Sequence, residues 1–320
     1  MGHAEPAPGE ALIRPLRLAV AAPDRAAARG QLPHRGTLGH LFVGIVERVK
    51  PGNGPSRDDL SLWMGKRVIG SPVISCGSCA RCKGGLSHHC SERTVLGLHN
   101  RDGCFAERFT IPVSNLVEVP KSLDDERAAL AGLVAAAAHA AGLARIEGKQ
   151  YVTVLGDGPV GLLCAQIATR MNASVRLLGH HAEKLALCER WGIKHRIESE
   201  AGRRADQDLV IDCTGSSCGL ALAMRLVRPR GKIVLKTALA PTPFIESLAR
   251  PDIQPLDLSP IVCNELELLG ASGGRIAEGL DAITRLGVDV LPLITLRTKF
   301  DSLAAALNET SGLVTLAEAA

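Results

Sequence analysis

No excess of one charge runs through these 320 residues: 37 Lys and Arg stand against 33 Asp and Glu, a net of +4. A nucleic-acid binder gathers a positive field on one face, and this balance supplies none, so no nucleic-acid partner is expected. A bilayer-crossing run is lacking too. The most apolar stretch, 128–144, is alanine-dominated, broken by Gly132 and His139, and shorter than the ~20 apolar residues that span a hydrocarbon core. It reads as a buried helix, and no membrane partner is expected. The opening MGHAEPAPGE holds two acids and two prolines but no apolar centre, so it is not a secretory signal, and the protein is expected in the cytoplasm. Neither an internal repeat nor a low-complexity linker is seen.

What is present is enough apolar material for a sizeable core, 46% of residues, in a chain long enough for two domains of ordinary size. Ten cysteines divide into four clustered between 76 and 90 and six scattered at 104, 164, 188, 213, 218 and 263. Several of the scattered ones lie in apolar runs, where a thiol packs as a small hydrophobe. That usage suits a reducing compartment rather than a disulfide framework.

Residues 11–120 carry short β-like runs such as Ala11-Leu12-Ile13-Arg14, Phe42-Val43-Gly44-Ile45-Val46 and Arg67-Val68-Ile69, punctuated by Gly and Pro. They predict an irregular β domain. From Tyr151 the rhythm changes. A strand over 151–155, a glycine turn, a helix over 160–171, a strand over 174–178 and a helix near 183–191 alternate, and parallel strands need such helical crossovers. The alternation continues through a strand at 208–213, a helix near 220–227 and a strand at 231–235. A last strand is expected at 266–270 and a last helix near 276–286. The class is α/β with a doubly wound sheet, and the tail 291–320 is expected to return to the first domain.

Cys76, Cys79, Cys82 and Cys90 follow C-x2-C-x2-C-x7-C, with glycines at 77, 84 and 85 for tight turns. Four thiolates satisfy a tetrahedral zinc and leave no open position, so such a site is structural rather than catalytic. A pair of disulfides or a chance cluster are the alternatives. His88 and His89 read as solvent-facing loop residues.

Gly156-Asp157-Gly158-Pro159-Val160-Gly161 is G-x-G-x-x-G, set between a predicted strand and a predicted helix. There the glycines let the backbone approach a pyrophosphate at the helix N-terminus. A glycine turn that holds no nucleotide is the alternative. An NAD site wants a carboxylate at the end of the second strand, and Gly179 stands there instead, followed by His180, His181 and Lys184. A small residue followed by cationic ones suits a 2′-phosphate, which predicts NADP(H) over NAD(H). A solvated basic loop is the competing reading.

Taken together, the segments PGEALIR (8–14), GHLFVGIVERV (39–49), GKRVIG (65–70), CGSCARC (76–82) and DGCFAERFTIP (102–112) resemble the zinc-containing medium-chain dehydrogenase/reductase family. The resemblance is particularly to its alcohol-dehydrogenase-like and threonine-dehydrogenase-like members. VLGDGPVGLLCAQIA (154–168), DCTGS (212–216) and LVRPRGKIVL (226–235) extend the similarity over nearly the whole chain. The resemblance implies a GroES-like catalytic domain over 1–120, completed by 291–320, and a Rossmann domain over 121–290, with an active-site cleft between them. It implies hydride transfer between alcohol and carbonyl, Thr214 beside the cofactor, a small-molecule substrate, and a homodimer formed through the strand near 267–270.

The catalytic zinc site of the family does not carry over. Where members have Cys-Gly-Thr-Asp, this sequence has Ala21-Ala22-Pro23-Asp24, which removes a metal-binding thiolate and the hydroxyl that relays the alcohol proton. Gly-His-Glu becomes Gly39-His40-Leu41, and the third ligand region reads Gly132-Leu133-Val134. His40 alone survives as a candidate catalytic residue, and one imidazole cannot hold a catalytic zinc. Its structural reading is a packed or hydrogen-bonded residue; His34, His99, Cys104, Glu107 and His139 have no spacing that favours a rebuilt site. The opening is short against the family, whose strand matching PGEALIR follows a β-hairpin, so part of the first sheet is expected to be missing. The leading expectation is an NADP(H)-dependent oxidoreductase without catalytic zinc. A catalytically silent nucleotide-binding or scaffold protein is the second. A conventional zinc alcohol dehydrogenase is opposed by Ala21, Pro23 and Gly132.

Overall fold

In EALIRPLRLAV the apolar runs 11–13 and 18–20 are buried, and Glu10–Val20 (β1) is the longest strand of a largely antiparallel sheet. The structure, a computed structural model, describes residues 5–52, 62–202, 204–237, 256–309 and 312–319. It divides into two compact units, 1–132 with 275–285 and 289–320, and 133–274 with 286–288.

In the first unit β1 lies beside Leu41–Val49 (β2), followed by Arg67–Gly70 (β3) and Leu116–Glu118 (β7), while Phe109–Pro112 (β6) pairs with the start of β1. The C-terminal strands Ile294–Lys299 (β14) and Val314–Glu318 (β15) complete this sheet, with β15 antiparallel to β1 and β14 parallel to β15. Ile13, Leu18, Phe42, Leu96, Cys104, Phe109 and Ile111 fill the core, where the Phe42 and Phe109 rings meet edge-on at 4.7 Å. Two short strands, Val73–Ile74 (β4) and Thr94–Val95 (β5), pair antiparallel and form the neck of the cysteine loop. The segment Ala21-Ala22-Pro23-Asp24 opens a helix, Ala22–Ala28, which no periodicity announces.

The second unit holds six parallel strands: Tyr151–Leu155 (β8), Ser174–Gly179 (β9), Lys194–Ile197 (β10), Gln207–Asp212 (β11), Val227–Leu235 (β12) and Glu267–Gly270 (β13). Their spatial order is β10-β9-β8-β11-β12-β13, the doubly wound order, with the reversal between β8 and β11. The near-continuous apolar runs of β8, β11 and the end of β12 follow from burial on both faces; Val152, Val154, Val210, Ile211, Ile233 and Val234 are fully buried. Lys194–Ile197 is a strand the periodicity misses, because KHRI is polar and lies at the sheet edge. The alanine-rich run folds as Ala131–Ala144, after a short helix Asp125–Ala129 whose N-cap Asp124 accepts the Arg127 N–H at 2.8 Å. Among the described residues no helix is long and apolar enough to cross a membrane.

Candidate metal centre and dinucleotide site

At the neck of the cysteine loop Gly77 adopts φ +72°, a conformation open to glycine, and a one-turn helix, Ala80–Lys83, then presents Cys79 and Cys82 from its start. Arg81 ties the loop by donating from its guanidinium to the His89 carbonyl at 2.9 Å. The four sulfurs are thereby brought together. Cys79–Cys82 and Cys76–Cys90 are 3.5 Å apart, and Cys76–Cys82 and Cys79–Cys90 are 3.9 Å apart. Four sulfurs about 2.3 Å from a common centre would lie about 3.8 Å from one another in a tetrahedron. A disulfide would need about 2.0 Å. The donor set therefore fits a zinc ion and does not fit paired disulfides; all ten cysteines are free. The backbone N–H groups of Cys79 and Ser78 and the Ser78 hydroxyl hold the Cys76 thiol down to about 6, in the direction that favours thiolate. Burial and then the neighbouring thiols push Cys82 up to about 11. His89 is exposed and His88 half-buried, and neither joins the cluster. Among the described residues this is the one gathering of three or more metal-ligating side chains.

His40 has a different environment. Its Nδ1 lies 2.8 Å from Asp24 Oδ1, and the other Asp24 oxygen accepts the Ala21 N–H at 2.9 Å, with both side chains buried. Asp24 thus satisfies the start of the helix and orients the imidazole at once. Cys104 is pushed well above its usual range by burial and then by Asp24, and its thiol donates to the Leu41 carbonyl at 3.7 Å.

The dinucleotide candidates converge on the carboxyl ends of β8, β9 and β11, next to the reversal of strand order where such sheets bind ligands. Gly156 ends β8 at φ +101° with its N–H donating to Leu178 O at 2.9 Å, and a β-carbon there would press on the Cys213 carbonyl carbon at 3.3 Å. Gly161 is closer still: a β-carbon would lie 1.9 Å from Gly156 O. Gly158, by contrast, has nothing within 4 Å of that position, and it caps the helix Pro159–Arg170 with no side chain of its own. The space in front of the helix N-terminus, where the N–H groups of Val160 and Gly161 have no intrahelical acceptor, is the space a pyrophosphate requires. Thr214 follows β11, and its hydroxyl and N–H both donate to the buried Asp212 Oδ1, at 2.7 and 2.8 Å. It fastens the turn rather than presenting a free hydroxyl.

The end of β9 corrects the expectation of a carboxylate-free pocket. Gly179 has no side chain, but the Asp157 carboxylate, reaching from the glycine turn, fills its place: Oδ2 accepts the N–H groups of His180 and His181, each at 2.7 Å, and the His181 Nδ1 lies 3.1 Å from both oxygens. Burial pushes the Asp157 carboxyl up, and the His181 and His180 donors more than offset this and hold it below its usual range. His180, expected to meet a 2′-phosphate, pairs through Nε2 with Glu198 at 3.2 Å. Of the three cationic candidates only Lys184 is left without a carboxylate partner among the described residues, and two carboxylates stand where none was read. Two of the three cationic candidates behind the NADP(H) expectation are thus engaged by the protein's own carboxylates. The signal was a charged residue between two glycines of a turn that faces an anion.

This pairing of a GroES-like unit that carries a cysteine loop with a doubly wound nucleotide unit is that of zinc-type dehydrogenases. Residues 7–121 match the alcohol dehydrogenase GroES-like domain and residues 159–286 the zinc-binding dehydrogenase domain. The L-threonine 3-dehydrogenase of Coxiella burnetii is 30% identical over 272 residues, covering 81% of this chain and 74% of its own length. A proposed zinc-binding dehydrogenase of Sinorhizobium meliloti, solved bound to NADP, superposes with a TM-score of 0.86 at 26% identity, covering 99% of this chain and 94% of its own. Galactitol-1-phosphate dehydrogenase of Escherichia coli shares the fold with a TM-score of 0.83 at 24% identity over 98% of this chain and 93% of its own. The chain belongs to the zinc-type medium-chain dehydrogenase/reductase family and is an alcohol-dehydrogenase-like, nicotinamide-dependent oxidoreductase.

Proposed function

We propose that the chain transfers hydride to or from a small carbonyl or alcohol without a catalytic zinc, while one structural zinc is held by Cys76, Cys79, Cys82 and Cys90. The observation that carries this reading is the Ala21-Pro23-His40 arrangement: Ala21 and Pro23 stand where the family has its metal-binding thiolate and relay hydroxyl, and Asp24 engages the His40 Nδ1. The nicotinamide cofactor would supply the hydride equivalent. For their part, Val160 and Gly161 would present N–H groups to the pyrophosphate, Gly158 would leave it room, and Asp157 would face the adenosine ribose. The NADP(H) preference is not carried into this reading, because Asp157 and Glu198 engage His181 and His180 and leave Lys184 alone of the cationic residues it relied on. Ten free thiols support a reducing, cytoplasmic setting. The edge strand β13, with Leu268 exposed and only β12 beside it among the described strands, supports a homodimer through that edge.

The test is a screen of alcohols and carbonyls, including L-threonine and sugar-alcohol phosphates, with each nicotinamide cofactor and with zinc measured on the same protein. Turnover with one zinc per chain and no response to added zinc supports the reading. Two zincs per chain with zinc-restored turnover would overturn it. The losses at Ala21 and Pro23 also favour a second reading, a nucleotide-binding protein without catalysis, which cofactor binding without any turnover would select.

A further inference from the structure

We infer that Asp157 is the residue that selects NAD(H) over NADP(H), acting from inside the glycine turn in place of a side chain at the end of β9. The inference rests on the reading that the turn holds a nicotinamide dinucleotide, and it adds which one. Gly156 bends the chain so that its own N–H joins Leu178 O on β9, which lays the next residue against the end of that strand. A β-carbon on Gly179 would lie 2.5 Å from Asp157 Oδ2 and 2.7 Å from its Cγ, so the carboxylate occupies the very volume a side chain on residue 179 would enter.

Two adjacent backbone N–H groups form an anion cradle, here those of His180 and His181. The protein has already placed its own anion in it: both donate to Asp157 Oδ2 at 2.7 Å, and the His181 ring adds a third partner. A carboxylate has about four acceptor positions. The second oxygen, which takes no backbone N–H, keeps capacity for a ribose diol, whose hydroxyls donate. A 2′-phosphate only accepts; it meets a like charge, and the N–H groups at the end of β9 are engaged, which leaves Lys184 alone of the three cationic candidates to receive it. Because Asp157 is almost wholly buried and hydrogen-bonded, moving it aside would strand a charge away from water. His180 offers no replacement, since Glu198 faces it at 3.2 Å.

The experiment measures binding by calorimetry on the full chain, with NADH, NADPH, AMP and adenosine 2′,5′-bisphosphate, for the wild type, Asp157→Asn and Asp157→Ala. The wild type should bind NADH more tightly than NADPH by roughly ten- to a hundredfold, the effect of one like charge between the limits of bulk water and a protein surface. The AMP pair should follow the same order without any contribution from the nicotinamide. Asp157→Ala should weaken NADH and strengthen NADPH, collapsing or inverting the ratio. Asp157→Asn keeps an acceptor for the two N–H groups and should move the ratio in the same direction with little change in melting temperature. A purely structural role would weaken both cofactors alike and leave the ratio where it was. A wild type that binds NADPH as tightly as NADH, or a ratio unmoved in whichever variant folds, would overturn the inference. NADH binding without turnover would leave it standing while removing catalysis. Binding of neither cofactor would overturn both this inference and the reading beneath it.

Discussion

Replacing Gly158 and Gly161 in turn with alanine separates folding from ligand binding at one turn, because the two glycines exist for different physical reasons. At Gly161 the new methyl would sit 1.9 Å from Gly156 O, whereas a carbon and a carbonyl oxygen normally stay about 3.3 Å apart. The helix start or the turn must therefore move by more than about 1 Å. Overpacking of this kind costs about 1–3 kcal/mol, which at this chain size lowers Tm by roughly 1.5–4.5 °C. At Gly158 the backbone has φ −74° and ψ 171°, an ordinary extended conformation, and the methyl would meet nothing within 4 Å. The gain from a stiffer unfolded chain and the loss of a glycine cap nearly cancel, so Tm should stay within about 1 °C. The methyl does fill the space through which a pyrophosphate approaches the backbone, and NADH affinity should fall at least about tenfold, or ~1.4 kcal/mol. Thermal denaturation and calorimetric titration of the two variants are the assay. If Gly158→Ala binds NADH like the wild type, the open space is not the pyrophosphate position. If Gly161→Ala melts and binds like the wild type, the close approach to Gly156 carries no weight.

Two further outcomes follow from the first unit. Zinc analysis should give one ion per chain, with an X-ray absorption shell of four sulfurs at about 2.3 Å, and Cys90→Ser should lose the ion and loosen residues 76–90 to proteolysis; nitrogen or oxygen in that shell would contradict the cysteine site. Asp24→Ala should destabilise the chain by about 3–5 kcal/mol, the cost of breaking a buried pair by removing one partner, since it strands both His40 and the Ala21 N–H; a denaturation midpoint near that of the wild type would mean that water replaces the carboxylate.

The parts legible in the sequence are those whose physics is local. The cysteine spacing needed only one loop to bring its sulfurs together, and the glycine turn only one strand and one helix. The buried strands of the parallel sheet announced themselves because burial on two faces leaves a continuous apolar run, while KHRI at 194–197 has no such constraint and was silent. Asp157 failed to show for a different reason. Residues 157 and 179 meet only once β8 and β9 are paired, and a vacancy at one position says nothing about a side chain arriving from another. The same holds for Asp24 and His40, 16 positions apart and joined by the fold.

Pairing of β15 with β1 has a consequence for how the chain leaves the ribosome. Arg17 pairs with Glu318 and Val20 with Thr315, so one edge of β1 stays bare until nearly all the chain has been made. The parallel sheet of the second unit, continuous in sequence from 133 to 274, is complete well before that and is free to close first. Its closure brings Gly274 against the Ala135 carbonyl, where a β-carbon on residue 274 would come within 2.1 Å. The loop that β1 and β15 must close is then cut to about half its contour, which lowers the entropic cost by only ~0.6 kcal/mol. Timing, rather than equilibrium stability, is what the insertion governs: a chain halted before residue 314 would carry a finished nucleotide unit beside a strand edge open to pairing with other chains.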